Sequence, residues 1–85
     1  MKLGIFKKIL ETFDIRSMKK QCNYKNCDKS VDKQIVIYQY DYKKGREDLA
    51  TLFVCNFHVK EVNAVVKKIK KDVENIVIDK EIQSL

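Results

Sequence analysis

At 85 residues and a formal charge of +6, the chain has the size of one small domain. Such a domain buries too little apolar surface to be comfortably stable without a metal, a disulfide or a partner subunit. An apolar fraction of 45%, two glycines and no proline exclude wholesale disorder and long flexible linkers.

The first element is an amphipathic helix within residues 1–20. Phe6, Ile9, Leu10 and Phe13 follow the i, i+3, i+4, i+7 rule from Lys2 to about Ile15. This predicts an apolar face packed on the rest of the domain or on a partner subunit. Lys7 and Lys8 interrupt the apolar run, and no other run is long enough to cross a bilayer, so neither a secretory leader nor a transmembrane segment is expected. The expected setting is a reducing cytoplasm, where an odd count of three cysteines at tight spacings points to metal rather than disulfides.

Residues 21–85 are read as one zinc-binding domain. Residues 21–33 are polar, lysine-rich and turn-prone and contain Cys22 and Cys27. Residues 34–55 hold two β-rich runs, QIVIYQYDY and LATLFVC, around KKGRED, which predicts an antiparallel hairpin. After Cys55 the apolar period lengthens to about 3.5 residues. Val59, Val66 and Val73 fall at one heptad position and Val62, Ile69 and Ile76 at another. A helix over 56–74 is expected, with Asn56 as a candidate N-cap. Residues 75–85 form a short tail, with a short strand near its start one option.

The chemistry sits in the pattern C-x4-C-x27-C-x2-H, which places Cys22, Cys27, Cys55 and His58 as four metal ligands. Zinc needs four soft or borderline donors at about 2.0–2.3 Å in a tetrahedron. A loop supplies one cysteine pair. Cys55 and His58, three residues apart where a strand enters a helix, share a face and reach the same point. Every cysteine and the only histidine are consumed by this site. A Cys22–Cys27 disulfide, unrelated thiols and an iron-bearing Cys3His centre are the alternatives.

A knuckle bearing two cysteines (CNYKNC), a hairpin, and a helix whose first turn holds the other two ligands (CNFH) together resemble the treble-clef zinc finger over roughly Cys22 to Val73. In style the chain is also similar to small Lys- and Ile-rich zinc proteins of thermophilic archaea and their viruses. The resemblance implies an α+β domain with one structural Zn2+, placed in a host cytoplasm if the chain is viral. Treble clefs serve nucleic-acid binding, protein binding and, in one branch, nuclease chemistry.

Catalysis is not expected. With His58 on the metal no histidine remains as a general base, and no free thiol remains as a nucleophile. Two features favour DNA or RNA as a partner, with a transcription regulator one outcome. From Met1 to Lys33 nine basic residues face four acidic ones, including Lys19, Lys20, Lys25, Lys29 and Lys33 around the knuckle. On the hairpin, Tyr38, Tyr40 and Tyr42 share a predicted strand face beside Lys43, Lys44 and Arg46, an arrangement suited to base stacking with phosphate neutralisation. The competing readings are a solvated basic surface and half-buried tyrosines. The alternative function is protein–protein association or assembly; the apolar seam Val59, Val62, Val66, Ile69, Val73 and Ile76 is expected either in the core of a closed monomer, covered by the N-terminal helix, or in a homodimer contact.

Overall fold

The computed structural model describes residues 2–14, 21–73 and 76–84. In it, Ile5, Ile9 and Phe13 recur at four-residue intervals and are all buried. That i, i+4 spacing stacks side chains along one helix face, and the first two lie on helix α1, Lys2–Thr12. The stripe is rotated from the one periodicity suggested: Leu10 is exposed and Phe6 only half-buried. The inward positions enter a core shared with the sheet and the second helix.

Strands β1, Lys33–Asp41, and β2, Gly45–Val54, form the expected hairpin. Its turn is built from side-chain chemistry: the Asp41 carboxylate accepts from the Lys43 amide at 2.8 Å, and Gly45 takes φ +78°. A side chain at that φ is strained, so glycine ends the three-residue loop without cost. A bulge between Ile37 and Tyr38 leaves Leu49 as an extra residue on β2. The resulting phase shift lets both Leu49 and Leu52 reach the core, although they stand an odd three positions apart.

A short 3-10 turn, Asn56–His58, leads into helix α2, Val59–Asp72. The helix is therefore shorter than the 56–74 expectation, since Val73 is already extended at φ −118°, ψ 121°. Asn56 does not cap it; the Asn56 amide instead donates to the Asp32 carboxylate at 2.9 Å. Lys70 and Lys71 in the last turn and Glu61 in the first complement the helix dipole.

The tail is strand β3, Val77–Ser84, and pairs antiparallel with β1 along eight residues. The sheet order is β2-β1-β3, giving a three-stranded antiparallel sheet with both helices on one face. That face carries Ile35, Ile37, Leu52, Val54 and Ile78 against α2 residues Val62, Val65, Val66 and Ile69. The fold class is α+β.

The heptad seam turns mostly into the chain's own core. Val62, Val66 and Ile69 are 0–3% exposed within the chain itself, while Val59, Val73 and Ile76 are half-buried against the same core. Ile76 and Val73 lie beyond α2, so they are not on the helix at all. Pairing two copies through Val62, Val66 and Ile69 would require the core to open. Ile69→Ala is expected to cost about 2–5 kcal/mol, against no more than about 0.5 kcal/mol for exposed Lys71→Ala, both read by thermal unfolding. Val66→Asp should abolish cooperative unfolding; a folded, monomeric Val66→Asp protein in light scattering would place the seam at the surface instead.

Candidate metal centre

The four candidate ligands come from two places that the fold brings together. Cys22 and Cys27 lie on a loop with little regular structure, held by backbone hydrogen bonds. The Cys22 amide donates to the Lys29 carbonyl at 2.9 Å, and the Cys27 amide to the Tyr24 carbonyl at 3.1 Å. Asn26 between them adopts φ +64°, a left-handed conformation that asparagine tolerates better than most residues. Cys55 follows the end of β2, and the His58 amide donates to its carbonyl at 3.1 Å, closing the 3-10 turn that carries both ligands.

The knuckle is fastened to the neighbouring elements at both sides of the site. Asn23, fully buried, accepts from the Phe53 amide through its side-chain oxygen at 2.9 Å and donates its own amide to the Phe53 carbonyl at 2.7 Å. This extends the edge of β2 by one irregular pairing just before Cys55. The end of α1 is stitched to the same loop: the Asp14 amide donates to the Asn23 carbonyl at 2.7 Å and the Lys25 amide to the Thr12 carbonyl at 3.1 Å. The Asp32 amide donates to the Val54 carbonyl at 2.9 Å, fixing the loop's far end.

The ligand atoms of Cys22, Cys27, Cys55 and His58 all lie within 4.8 Å of one another. His58 turns Nδ1 towards the sulfurs, 3.2 Å from Cys55 Sγ and 3.5 Å from Cys22 Sγ. A tetrahedral ion with sulfur at about 2.3 Å and nitrogen at about 2.0–2.1 Å holds such a pair roughly 3.5 Å apart. All three cysteines are free thiols, which disposes of the Cys22–Cys27 disulfide. The four residues therefore have the donors and the spacing to hold one metal ion.

Aromatic packing sets the imidazole. Tyr24 stacks on His58 with centroids 4.0 Å apart and planes 13° from parallel, and Phe13 meets Tyr24 edge-on at 5.7 Å. The stack runs from the end of α1 through the knuckle to the ligand. These three supporting residues, Phe13, Asn23 and Tyr24, were not singled out as part of the site by spacing. Only the position of Tyr24 between the two knuckle cysteines offered a hint.

Cys22 is the most enclosed ligand, and desolvation by burial pushes its thiol up to about 11 from an ordinary 9.0. The amides of Cys55 and Tyr24 donate towards its sulfur and pull in the opposite direction. Amide donors at a thiolate are what an anionic, metal-bound sulfur needs.

The candidate nucleic-acid residues are dispersed. Lys19 and Lys20 lie outside the described residues. Lys25 and Lys29 are exposed on the knuckle, with Lys29 Nζ 4.9 Å over the ring of Phe57. Phe57, between Cys55 and His58, is 67% exposed and is a further surface aromatic that sequence reasoning passed over. Lys33 donates to Ser84 Oγ at 2.8 Å. The three tyrosines do not form one strand face, because β1 ends at Asp41 and Tyr42 sits in the turn, 90% exposed beside exposed Lys43 and Lys44.

Arg46 is already occupied. Its guanidinium lies 4.2 Å over the Tyr38 ring and pairs with Asp48 at 2.8 Å and Glu81 at 3.1 Å. Hydrogen bonds to those two carboxylates raise its pKa, and Arg46 lowers that of Glu81. By strand register, Tyr38, Tyr40, Arg46, Asp48, Asp79 and Glu81 share the sheet face turned away from the helices. That face holds one arginine against three carboxylates, so its charge repels phosphate.

Comparison with models of protein families, with curated proteins and with solved structures finds no match to the chain. No helix among the described residues is long and apolar enough to cross a membrane.

Metal binding must strip the proton from Cys22, so affinity rises with pH by up to about tenfold per unit for each proton released. The thermal stabilisation that a metal confers should therefore grow between about pH 6 and about pH 8, both below the ordinary thiol pKa of about 8.5. Melting temperatures of the metal-loaded protein at fixed free-metal concentration across this range check the sign.

Proposed function

We propose that the chain is a non-enzymatic, zinc-stabilised binding module of treble-clef type whose partner is nucleic acid. The observation that carries the zinc reading is the convergence of three thiols and one imidazole, with Cys22 and Cys55 at 0% and 1% exposure, inside so small a chain. Three sulfurs and one nitrogen in a tetrahedral spacing are the donor set of structural zinc, and all four positions are filled by protein. Such a site has no open position for substrate or activated water. Its binding free energy, about 10–16 kcal/mol in small zinc domains, compares with a total stability of roughly 5–15 kcal/mol for a typical domain. Zinc on this reading decides whether the chain folds.

The treble-clef reading is supported by the order of parts: a two-cysteine loop, a hairpin, then a helix entered through the second ligand pair. Strand β3 is an addition that completes the sheet on the other side of β1. The non-enzymatic reading is supported by the use of the only histidine as a ligand. Nucleic-acid binding is supported by the +6 charge and by its concentration in lysines held away from the acidic sheet face. The competing assembly reading has less support, since Val62, Val66 and Ile69 of the seam are buried in the chain's own core.

Purified protein is expected to carry one zinc per chain by elemental analysis and to lose cooperative unfolding when a strong chelator removes it. Protein that keeps its melting transition after complete metal removal would sink the structural-zinc reading. Titration with labelled DNA and RNA at low and high salt tests the partner: binding that weakens steeply with salt is expected, and no binding at either salt rejects it.

A further inference from the structure

Helix α2 concentrates positive charge on the side opposite its buried residues. Lys60, Lys67, Lys68, Lys70 and Lys71 are all exposed. At about 100° per residue, Lys60, Ala64, Lys67 and Lys71 recur as i, i+4, i+7 and i+11 and line up along the outer face, with Lys68 beside them. The stripe runs for about 16 Å. It lies behind Val62, Val66 and Ile69, which enter the core.

Two observations separate this stripe from an ordinary solvated helix face. The first concerns its counter-charges. Spacing alone assigns Asp72 to Lys68 as an i, i+4 partner, yet Asp72 pairs with Lys8 of α1. Among the described residues no ion pair holds Lys60, Lys67, Lys68 or Lys71. The second is the polarity of the whole domain. The tyrosine-bearing face of the sheet carries Asp48, Asp79 and Glu81 around a single Arg46. Helices and sheet thus expose opposite charges on opposite sides, which orients the domain in the field of a polyanion.

We propose that the outer face of α2 docks against the phosphate backbone of a nucleic-acid duplex, with Lys60, Lys67, Lys68 and Lys71 as the contacting residues. This rests on the nucleic-acid reading above and replaces the hairpin tyrosines with α2 as the contact surface. A straight helix face with only lysines and Ala64 along it has the width to enter a major groove. The stripe offers no arginine, asparagine or glutamine for paired contacts to base edges, so binding is set by phosphates and tolerates sequence. None of the large exposed apolar residues, Leu10, Tyr40, Tyr42, Phe57, Val77 and Ile82, lies on α2. A membrane-surface helix needs such residues to insert, so duplex is the favoured occupant over an anionic bilayer.

Four phosphate contacts give a slope of about −3.6 for log affinity against log salt. Affinity for a labelled duplex about two helical turns long should then fall roughly 150-fold between about 50 and 200 mM salt. The test compares metal-loaded parent protein with two variants: Lys60→Gln, Lys67→Gln, Lys68→Gln and Lys71→Gln together on α2, and Lys43→Gln with Lys44→Gln on the hairpin turn. Glutamine keeps nearly the helix propensity of lysine, so the α2 variant should retain its circular dichroism and melting transition. The expected result is loss of most of the salt slope in the α2 variant and little change in the hairpin variant, with each single α2 substitution lowering the slope by about 0.9. If the parent binds duplex and the hairpin variant loses the slope while the α2 variant keeps it, the contact surface is overturned but the nucleic-acid reading stands. If the parent shows no salt-dependent binding to duplex, or binds only single strands or vesicles of anionic lipid, the duplex proposal fails. Absence of binding to every nucleic acid removes both.

Discussion

Two segments that share no regular pairing meet at one point: a loop carrying Cys22 and Cys27, and the β2–α2 junction carrying Cys55 and His58. Most of the surrounding hydrogen bonds serve that meeting. Asn23 ties the loop to the edge of β2 beside Cys55, Asp32 ties its end to Val54 and Asn56, and the end of α1 holds its middle. A loop with few apolar residues of its own gains order only from such attachments. Three thiols and one imidazole that meet in this way have the donor set to share one cation, which would tie the two segments together.

The apolar core and the ligand cluster are continuous rather than separate. Cys22 and Cys55 belong to the same buried cluster as Ile35, Val54 and Val62, and Phe13 reaches the imidazole through Tyr24. Helix α1 is thereby coupled to the candidate metal centre through Phe13 and to α2 through the pairing of Lys8 with Asp72. The aromatic stack also limits rotation of His58, so that Nδ1 stays turned to the sulfurs. Orientation of a ligating histidine by its neighbours is as much a part of such a centre as the ligand itself.

The charge distribution follows from the same topology. Alternation along β1 puts Ile35 and Ile37 under the helices and Tyr38 and Tyr40 on the opposite face. The antiparallel register then sets Asp48, Asp79 and Glu81 around those tyrosines and draws Arg46 across β1 to Glu81. An arginine held by two carboxylates over an aromatic ring has little capacity left for an external phosphate. The lysines of α2 have no such constraint, because the helix spends its apolar side on the core and leaves the other to solvent.

Much of this was legible in the residues alone. The four ligands could be read from scarcity and spacing, since the chain has three cysteines and one histidine. The hairpin could be read from β-branched runs around Gly45, and α2 from its apolar period, because these signals are local and repeat within a few residues. Strand β3 was not fully legible: Asp79, Lys80 and Glu81 interrupt its apolar pattern, and its pairing partner β1 lies some forty residues earlier, as the match of Lys33 with Ser84 and Tyr40 with Val77 shows. The register of the inward stripe on α1, the turn position of Tyr42 and the diversion of Asp72 to Lys8 were likewise settled by contacts between distant segments. Sequence by itself determined which side chains had the chemistry to bind a metal and which segments preferred helix or strand. Tertiary structure decided which faces were buried and which charges were cancelled, because those depend on neighbours that local spacing does not specify.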